Sequence, residues 1–344
     1  VIIDDTLREG LQSPNVAFKF EEKIHLAKLI SDAGIERAIV SHPSAHRSEF
    51  EATKVIVDKK VFKETFALGR IKKEDIDLID NTGANISLYL PFKIEDIDKI
   101  LDLIRYAKSK NKLLDVAIVN ISNLQEEELI KLAKKLNGIG VDSIQLADSL
   151  GEINPKKSYE IVKKVKQSVE SKISVHFHND YGLSVANSVS AIYAGADFVG
   201  CTLMGIGERN GIADLATIAH FLINSSYKLN IDFSKLKKAY DYLIELLKRK
   251  GWNFYDNIPI FGENTQIHTA GTHAYFSNVF KNKNYSINVY TGKTMIKEIL
   301  EKNNISIEEK KLEYFVNKIK DHSVEIGKAF NEKEVIELYK EWLE

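Results

Sequence analysis

Cysteine is nearly absent from this chain: Cys201 is the single one among 344 residues, which excludes an intrachain disulfide framework. One thiol fits a reducing compartment, and a cytoplasmic protein is expected. Long apolar runs are missing as well. None approaches the roughly 20 residues of a membrane-crossing helix. The N-terminus is not signal-like, but the chain opens inside a strand pattern, Val1–Asp4, which leaves residues upstream of it, a removed targeting segment included, open. A charge excess is also lacking, with 48 basic against 49 acidic residues and a formal net charge of −1. Nucleic-acid binding usually shows as a basic excess on one face, so neither a nucleic acid nor a membrane is an expected partner. The lysines alternate with Glu and Ile in helical patterns such as Lys156–Lys166 and Lys235–Lys250, as solvated helix faces do.

What is present is apolar material, 44% of the chain, enough for one large domain and something smaller. Short apolar runs predict strands at Val1–Asp4, Arg37–Ser41, Glu64–Leu68, Asn85–Leu90, Leu113–Val119, Ser143–Ala147, Ile173–His178 and Asp197–Thr202. Helical patterns lie between them, among them Glu21–Ala33, Ile94–Ser109, Gln125–Leu136, Pro155–Val169 and Leu183–Ala194. Eight strands, each followed by a helix, read as a closed parallel (β/α)8 barrel, an α/β TIM barrel, in preference to an open doubly wound sheet. The rhythm changes after residue 225. A long helix, Ser234–Lys250, precedes an irregular stretch, Gly251–Gly292, and three helices follow: Lys293–Asn303, Ile307–Lys320 and Glu332–Leu343. The expected division is a catalytic barrel over 1–228 and a mostly helical C-terminal region over 229–344. An irregular segment of about forty residues, rich in aromatics and carrying two histidines, reads as functional.

Active sites of such barrels form at the C-terminal ends of the strands. Three polar clusters fall there: Asp4-Asp5-Thr6-Leu7-Arg8-Glu9-Gly10, His176-Phe177-His178-Asn179-Asp180 and Gly205-Ile206-Gly207-Glu208-Arg209-Asn210-Gly211. His176 and His178, two apart on a strand, point to one face about 7 Å apart. They can share a divalent metal, with Glu9 completing the set from the first strand, read as their neighbour around the barrel. The bland reading of H-x-H is a pair of core or surface histidines, and the acidic turn at the first strand weighs against it. Arg8 is suited to stabilising an enolate or alkoxide oxygen. It can equally pair with Asp4, Asp5 or Glu208. Glu208 and Arg209 read as braces of the loop around the metal. In Gly262–His273, His268 and His273 stand five apart, with Tyr285 shortly after, and histidine is the natural acid or base near neutral pH. In isolation each would more often be structural.

With these clusters in place, the chain resembles the metal-dependent synthases and lyases that share a D-x-T-L-R-[DE]-G opening. These are the homocitrate, isopropylmalate and citramalate synthases and hydroxymethylglutaryl-CoA lyase, the DRE-TIM metallolyases. Asp5–Gly10 matches the opening, Ala147–Gly151 the A-D-T-x-G motif, and His176–Asp180 the H-x-H-N-D metal motif. Gly205–Ile212 resembles the homocitrate synthase version of its loop. Gly262–His273 and Thr291-Gly292-Lys293 resemble the C-terminal subdomain of the synthases, a part that the lyases lack. The resemblance implies one divalent ion (Mg2+, Mn2+, Co2+ or Zn2+) on Glu9, His176 and His178. It implies catalytic roles for Arg8, His273 and Tyr285, the last two reaching over the partner's active site in a homodimer. It also implies loop support from Asp5, Glu208 and Arg209, and substrate contacts from Gln12, Arg70, Asp115 and Ser149. The reaction implied is homocitrate-synthase-like: acetyl-CoA condenses with a 2-oxo acid in amino-acid biosynthesis, the acyl group becoming alkyl on transfer, and thioester hydrolysis follows.

Two positions depart from the homocitrate synthase pattern. Its fifth strand reads R-F-S-S-E-D, and here Asp115 stands at the Arg position and Val119 at the Glu position. A carboxylate facing a substrate carboxylate repels it, which leaves Arg70, at the end of the third strand, to hold such a group. Val119 and Leu11 also suit a lyase or aldolase that cleaves a 3-hydroxy acid or a hydroxymethylglutaryl-CoA-like substrate. A non-catalytic ligand-binding homologue is a third reading. The regulatory domain of longer isopropylmalate synthases has no counterpart up to Glu344, so feedback inhibition through it is not expected.

Overall fold

The computed structural model describes residues 2–252, 258–269 and 284–343. Eight parallel strands close into a barrel in chain order: β1 (Ile2–Asp4), β2 (Arg37–Ile39), β3 (Glu64–Arg70), β4 (Asn85–Tyr89), β5 (Leu114–Ile118), β6 (Ser143–Asp148), β7 (Lys172–Phe177) and β8 (Phe198–Cys201). The helices between them are α1 (Phe20–Asp32), α2 (Arg47–Asp58), α3 (Lys73–Thr82), α4 (Ile97–Lys108), α5 (Glu126–Ile139), α6 (Pro155–Ser168), α7 (Ser184–Tyr193) and α8 (Leu215–Asn224). Side-chain caps start several of them. Asp96 accepts from the Lys99 amide, Asn154 from Lys157 and Asp214 from Thr217, satisfying donors the first turn leaves free. Gly83 and Gly140 take left-handed backbone (φ 81° and 83°) and end α3 and α5, where a Cβ would be strained.

Registry decides what the barrel encloses. Ser87, Asp115 and Ser143 are partners across β4, β5 and β6, so they share one level inside it. Below them Ile3, Ile39 and Phe66 form an apolar plug. The Arg37 guanidinium lies 4.6 Å from the Phe66 ring centroid and 4.1 Å from that of Phe198, a cation–π sandwich that keeps a buried charge in company. Asp4 pairs with Cys201 and Ile3 with Gly200, so β8 stands between β7 and β1, which are not direct neighbours as the sequence reading had them.

α9 (Phe233–Lys248) packs on the barrel, within a first compact unit that runs Val1–Phe254. The cause is its apolar stripe: Leu236, Ala239, Leu243, Leu246 and Leu247 are all buried. Tyr240, fully buried, donates to Asp214 at 2.6 Å and accepts from the Ala216 amide at 2.8 Å, fastening α9 to the start of α8. The second unit, Tyr255–Glu344, holds β9 (Ile267–His268), β10 (Asn284–Tyr285), α10 (Lys293–Lys302), α11 (Glu309–Ile326) and α12 (Glu332–Leu343). Its own core includes Ile287, Met295, Phe315 and Tyr339. α11 runs six residues beyond the Lys320 expected, to a left-handed Gly327. Among the described residues no helix is long and apolar enough to cross a membrane.

Candidate metal centre and its pocket

The DDTLREG segment leaves β1 and turns at once into a 3-10 helix, Glu9–Gln12. The turn carries Glu9 past the end of β8 toward β7, and Gly200 of β8 offers no side chain in the way. A Cβ there would stand 3.2 Å from His176 Nδ1. One donor atom each from Glu9, His176 and His178 lies within 4.8 Å of the others, and all three residues are buried. The His176 and His178 rings meet edge to face at 5.2 Å. His176 turns Nε2 toward Glu9 Oε2 at 3.8 Å and Nδ1 toward Asp5 Oδ2 at 3.5 Å, and the Nδ1 atoms of both rings are buried without a hydrogen-bond partner. Two imidazole nitrogens and one carboxylate suit a divalent ion with open positions for substrate. The chemistry of the donors fits the group.

Protonation favours ligation. Burial pushes Glu9 up, but Arg8, both histidines and the Glu208 amide outweigh it and hold the carboxyl down at about 2. Burial lowers His176 to about 3, Glu9 opposing and His178 and Arg8 assisting, and it lowers His178 as well. The site therefore rests as one carboxylate and two neutral imidazoles at neutral pH, the forms that bind metal.

Arg8 is fixed at every nitrogen. Its Nε donates to Asp5 Oδ1 at 2.9 Å, Nη2 to Asp5 Oδ2, and Nη1 to Glu9 and, at 3.0 Å, to Gln12. The carbonyl oxygen of Gln12 thus helps to hold the guanidinium. The loop after β8 closes the other side. The Glu208 amide donates to Glu9 Oε1 at 2.9 Å, an approach that requires Gly207, whose Cβ would sit 2.8 Å from that oxygen. Arg209 spans two further loops, with two 2.8 Å and 2.7 Å bonds to Asp180 and one of 2.8 Å to the Ser149 carbonyl.

A cavity of about 790 Å³ opens beside these groups. Arg8, Glu9, His176, His178, Gln12, Ser149, Glu208 and Arg209 line it, so most of the site residues expected from sequence meet there. Much of the remaining wall is apolar, with Leu68, Ala117, Val119 and Ala147 beside Leu11, Phe92 and the Tyr89 ring, and Gln145, His42, His46, Ser48 and Glu49 interrupt it. His42 and Tyr89 were missed in the sequence, although both stand at the end of a strand, where barrel sites are built.

Two expected substrate residues are elsewhere. Arg70 is half exposed and forms a bidentate pair with Asp75. Asp115 lies one pleat below the pocket floor at Ala117, accepting from Ser87 at 3.1 Å, from Ser174 at 3.4 Å and from Ser143. Burial raises the Asp115 pKa, with the serines and Arg37 opposing. Its folded form therefore keeps its proton to higher pH than the unfolded chain, and the stability this confers is lost as pH rises through the folded pKa. Asp115→Asn escapes that loss. Its Tm is expected to gain on wild type as pH rises above about 4, the ordinary carboxylate value, while the KM of the acid substrate stays within about two-fold; a changed KM would place Asp115 at the substrate.

Tyr285 is buried in the core of the second unit and donates to Glu298, and burial and Glu298 raise its pKa. His268 lies in β9. His273 lies outside the described residues.

A family model described as HMGL-like matches residues 1–243. A probable 2-isopropylmalate synthase of Archaeoglobus fulgidus is 32% identical over 349 residues, covering 93% of this chain and 69% of the relative. The 2-isopropylmalate synthase and the homocitrate synthase of Sulfurisphaera tokodaii are 30% and 29% identical. Each covers 93% of this chain, and the chain covers 89% and 76% of them. Among solved structures, a Bacillus subtilis HMG-CoA lyase superposes with a TM-score of 0.67 at 19% identity, over 76% of this chain and 97% of the lyase. At that identity the likeness speaks for the barrel fold.

Proposed function

The chain belongs to the HMGL-like family, and from that premise we propose that it condenses acetyl-CoA with a 2-oxo acid whose side chain is uncharged. The observation that carries this reading is the Glu9, His176 and His178 donor set opening onto an apolar wall. A divalent ion held there supplies Lewis-acid polarisation of the acid's ketone. Arg8, fixed at four acceptor atoms, presents a positive charge beside the place where negative charge develops on oxygen. The synthase names of the relatives support the reaction type.

The wall supports the side-chain preference. Leu68, Ala117, Val119 and Ala147 offer no partner to a second carboxylate, Gln145 offers a neutral amide donor but no charge, and Arg70 is engaged by Asp75. A charge desolvated there without a partner costs several kcal/mol. The lyase reading gains nothing from Cys201, which is buried in β8 with its thiol pKa pushed well up by burial, so no thiolate faces the pocket.

The test is thiol release from acetyl-CoA across a panel of 2-oxo acids with Mg2+, Mn2+, Co2+ or Zn2+. Acids with small or branched apolar side chains are expected to exceed 2-oxoglutarate by about 100-fold or more in kcat/KM. No turnover with any acid sinks the condensation; preference for 2-oxoglutarate sinks the side-chain assignment.

A further inference from the structure

His42 lines the pocket at the end of β2, and its far nitrogen is wired into a hydrogen-bond chain. The chain starts at Asp75, buried in the first turn of α3. Its carboxylate accepts from Arg70 Nε and Nη2 at 2.8 Å each and from the Arg70 amide at 2.9 Å. Burial pushes Asp75 up, but these bonds and one from Ser44 outweigh it and hold the carboxyl below its usual range. An ionised carboxylate only accepts, so Ser44 Oγ, 3.1 Å away, donates to it. The hydroxyl has a single proton, now committed. It therefore accepts from His42 Nδ1 at 3.0 Å. Carboxylate, hydroxyl and ring fix one tautomer: Nδ1 carries the proton, and Nε2 keeps a free lone pair.

We propose that His42 is the base that removes a methyl proton from the acyl thioester, a role that rests on the condensation proposed above. The C–H bond breaks, the proton passes to Nε2, and the bonding pair becomes the enolate. The enolate carbon adds to the ketone carbon of the 2-oxo acid. The carbonyl π pair moves to the ketone oxygen, which takes the proton back from the imidazolium, and His42 ends as it began. Ser44 and Asp75 are positioning residues, and the Arg70 guanidinium pins the end of the chain. The groups facing His42 are Asp75, Arg70 and Arg8, with the Tyr89 ring at 6.5 Å. Burial and the two arginines lower its pKa against Asp75, so the base is unprotonated at neutral pH.

The experiment compares wild type with His42→Asn, Ser44→Ala and Asp75→Asn in thiol release, using Mg2+ and the best 2-oxo acid of the panel. His42→Asn is expected to lose about 100-fold or more in kcat, with both KM values within about three-fold, and to lose the acid limb of the kcat–pH profile. Ser44→Ala and Asp75→Asn fall between. Nitrogen-15 NMR of the wild-type imidazoles reads the tautomer without any variant, and Nδ1–H is expected at His42. A His42→Asn enzyme within five-fold of wild type, or an Nε2–H tautomer, overturns the assignment. A wild type that releases no thiol with any acid overturns the condensation itself, a different outcome from an active wild type matched by an active His42→Asn.

Discussion

His176→Ala is expected to abolish tight Mn2+ binding in calorimetry and to lower thiol release by about 1000-fold or more, while the barrel stays folded. The ring is buried, its Nδ1 has no hydrogen-bond partner, and its Nε2 lies 3.8 Å from Glu9 Oε2. Removing it takes one of two nitrogen donors from a three-donor set, and a carboxylate with a single imidazole makes a weak site for a divalent ion. The strand keeps its hold on the rest of the molecule because Val175 and Phe177, buried on the opposite face of β7, are untouched by the change. Unchanged Mn2+ affinity in the variant would show that these donors do not form the site.

Arg8→Lys is expected to cost about 100- to 1000-fold in kcat with little change in the KM of the 2-oxo acid. The charge is conserved, so the loss isolates geometry. The guanidinium holds both oxygens of Asp5 and still reaches Glu9 and Gln12. An ammonium cannot span these acceptors in one plane. Asp5 is buried, and half of its hydrogen bonding is stranded by the change, so a lower Tm accompanies the kinetic loss. A kcat within ten-fold of wild type would mean that Arg8 serves Asp5 alone.

Much of the architecture was legible in the sequence because the period-two runs and the helical stripes are both strong here. Each of the eight barrel strands lies within about two residues of its expected place. The H-x-H pair was legible for the same reason: alternation places both rings on one face. Depth inside the barrel was not. Positions 115, 117 and 119 all point inward, but at about 3.3 Å per residue Asp115 lies some 13 Å along the strand from Val119. A motif position gives no such distance. Nor did periodicity reveal that Arg70 would be drawn to Asp75, five residues on and in another element, leaving His42 beside the substrate space. Tyr240 bonding to Asp214 sets the domain edge by a contact between residues 26 apart, which no local pattern predicts.

The layer of Ser87, Asp115, Ser143 and Ser174, with Ile3, Ile39 and Phe66 beneath it, makes the barrel a cup with one opening. Whatever reaches Glu9 and the histidines must enter and leave by the same rim. For the proposed reaction this imposes a sequence on traffic: the small acid occupies the floor before the bulky thioester arrives and stoppers the mouth. The coenzyme must then depart before the longer diacid can escape, so the order of the kinetic scheme is set by a plug of side chains on the far side from the chemistry.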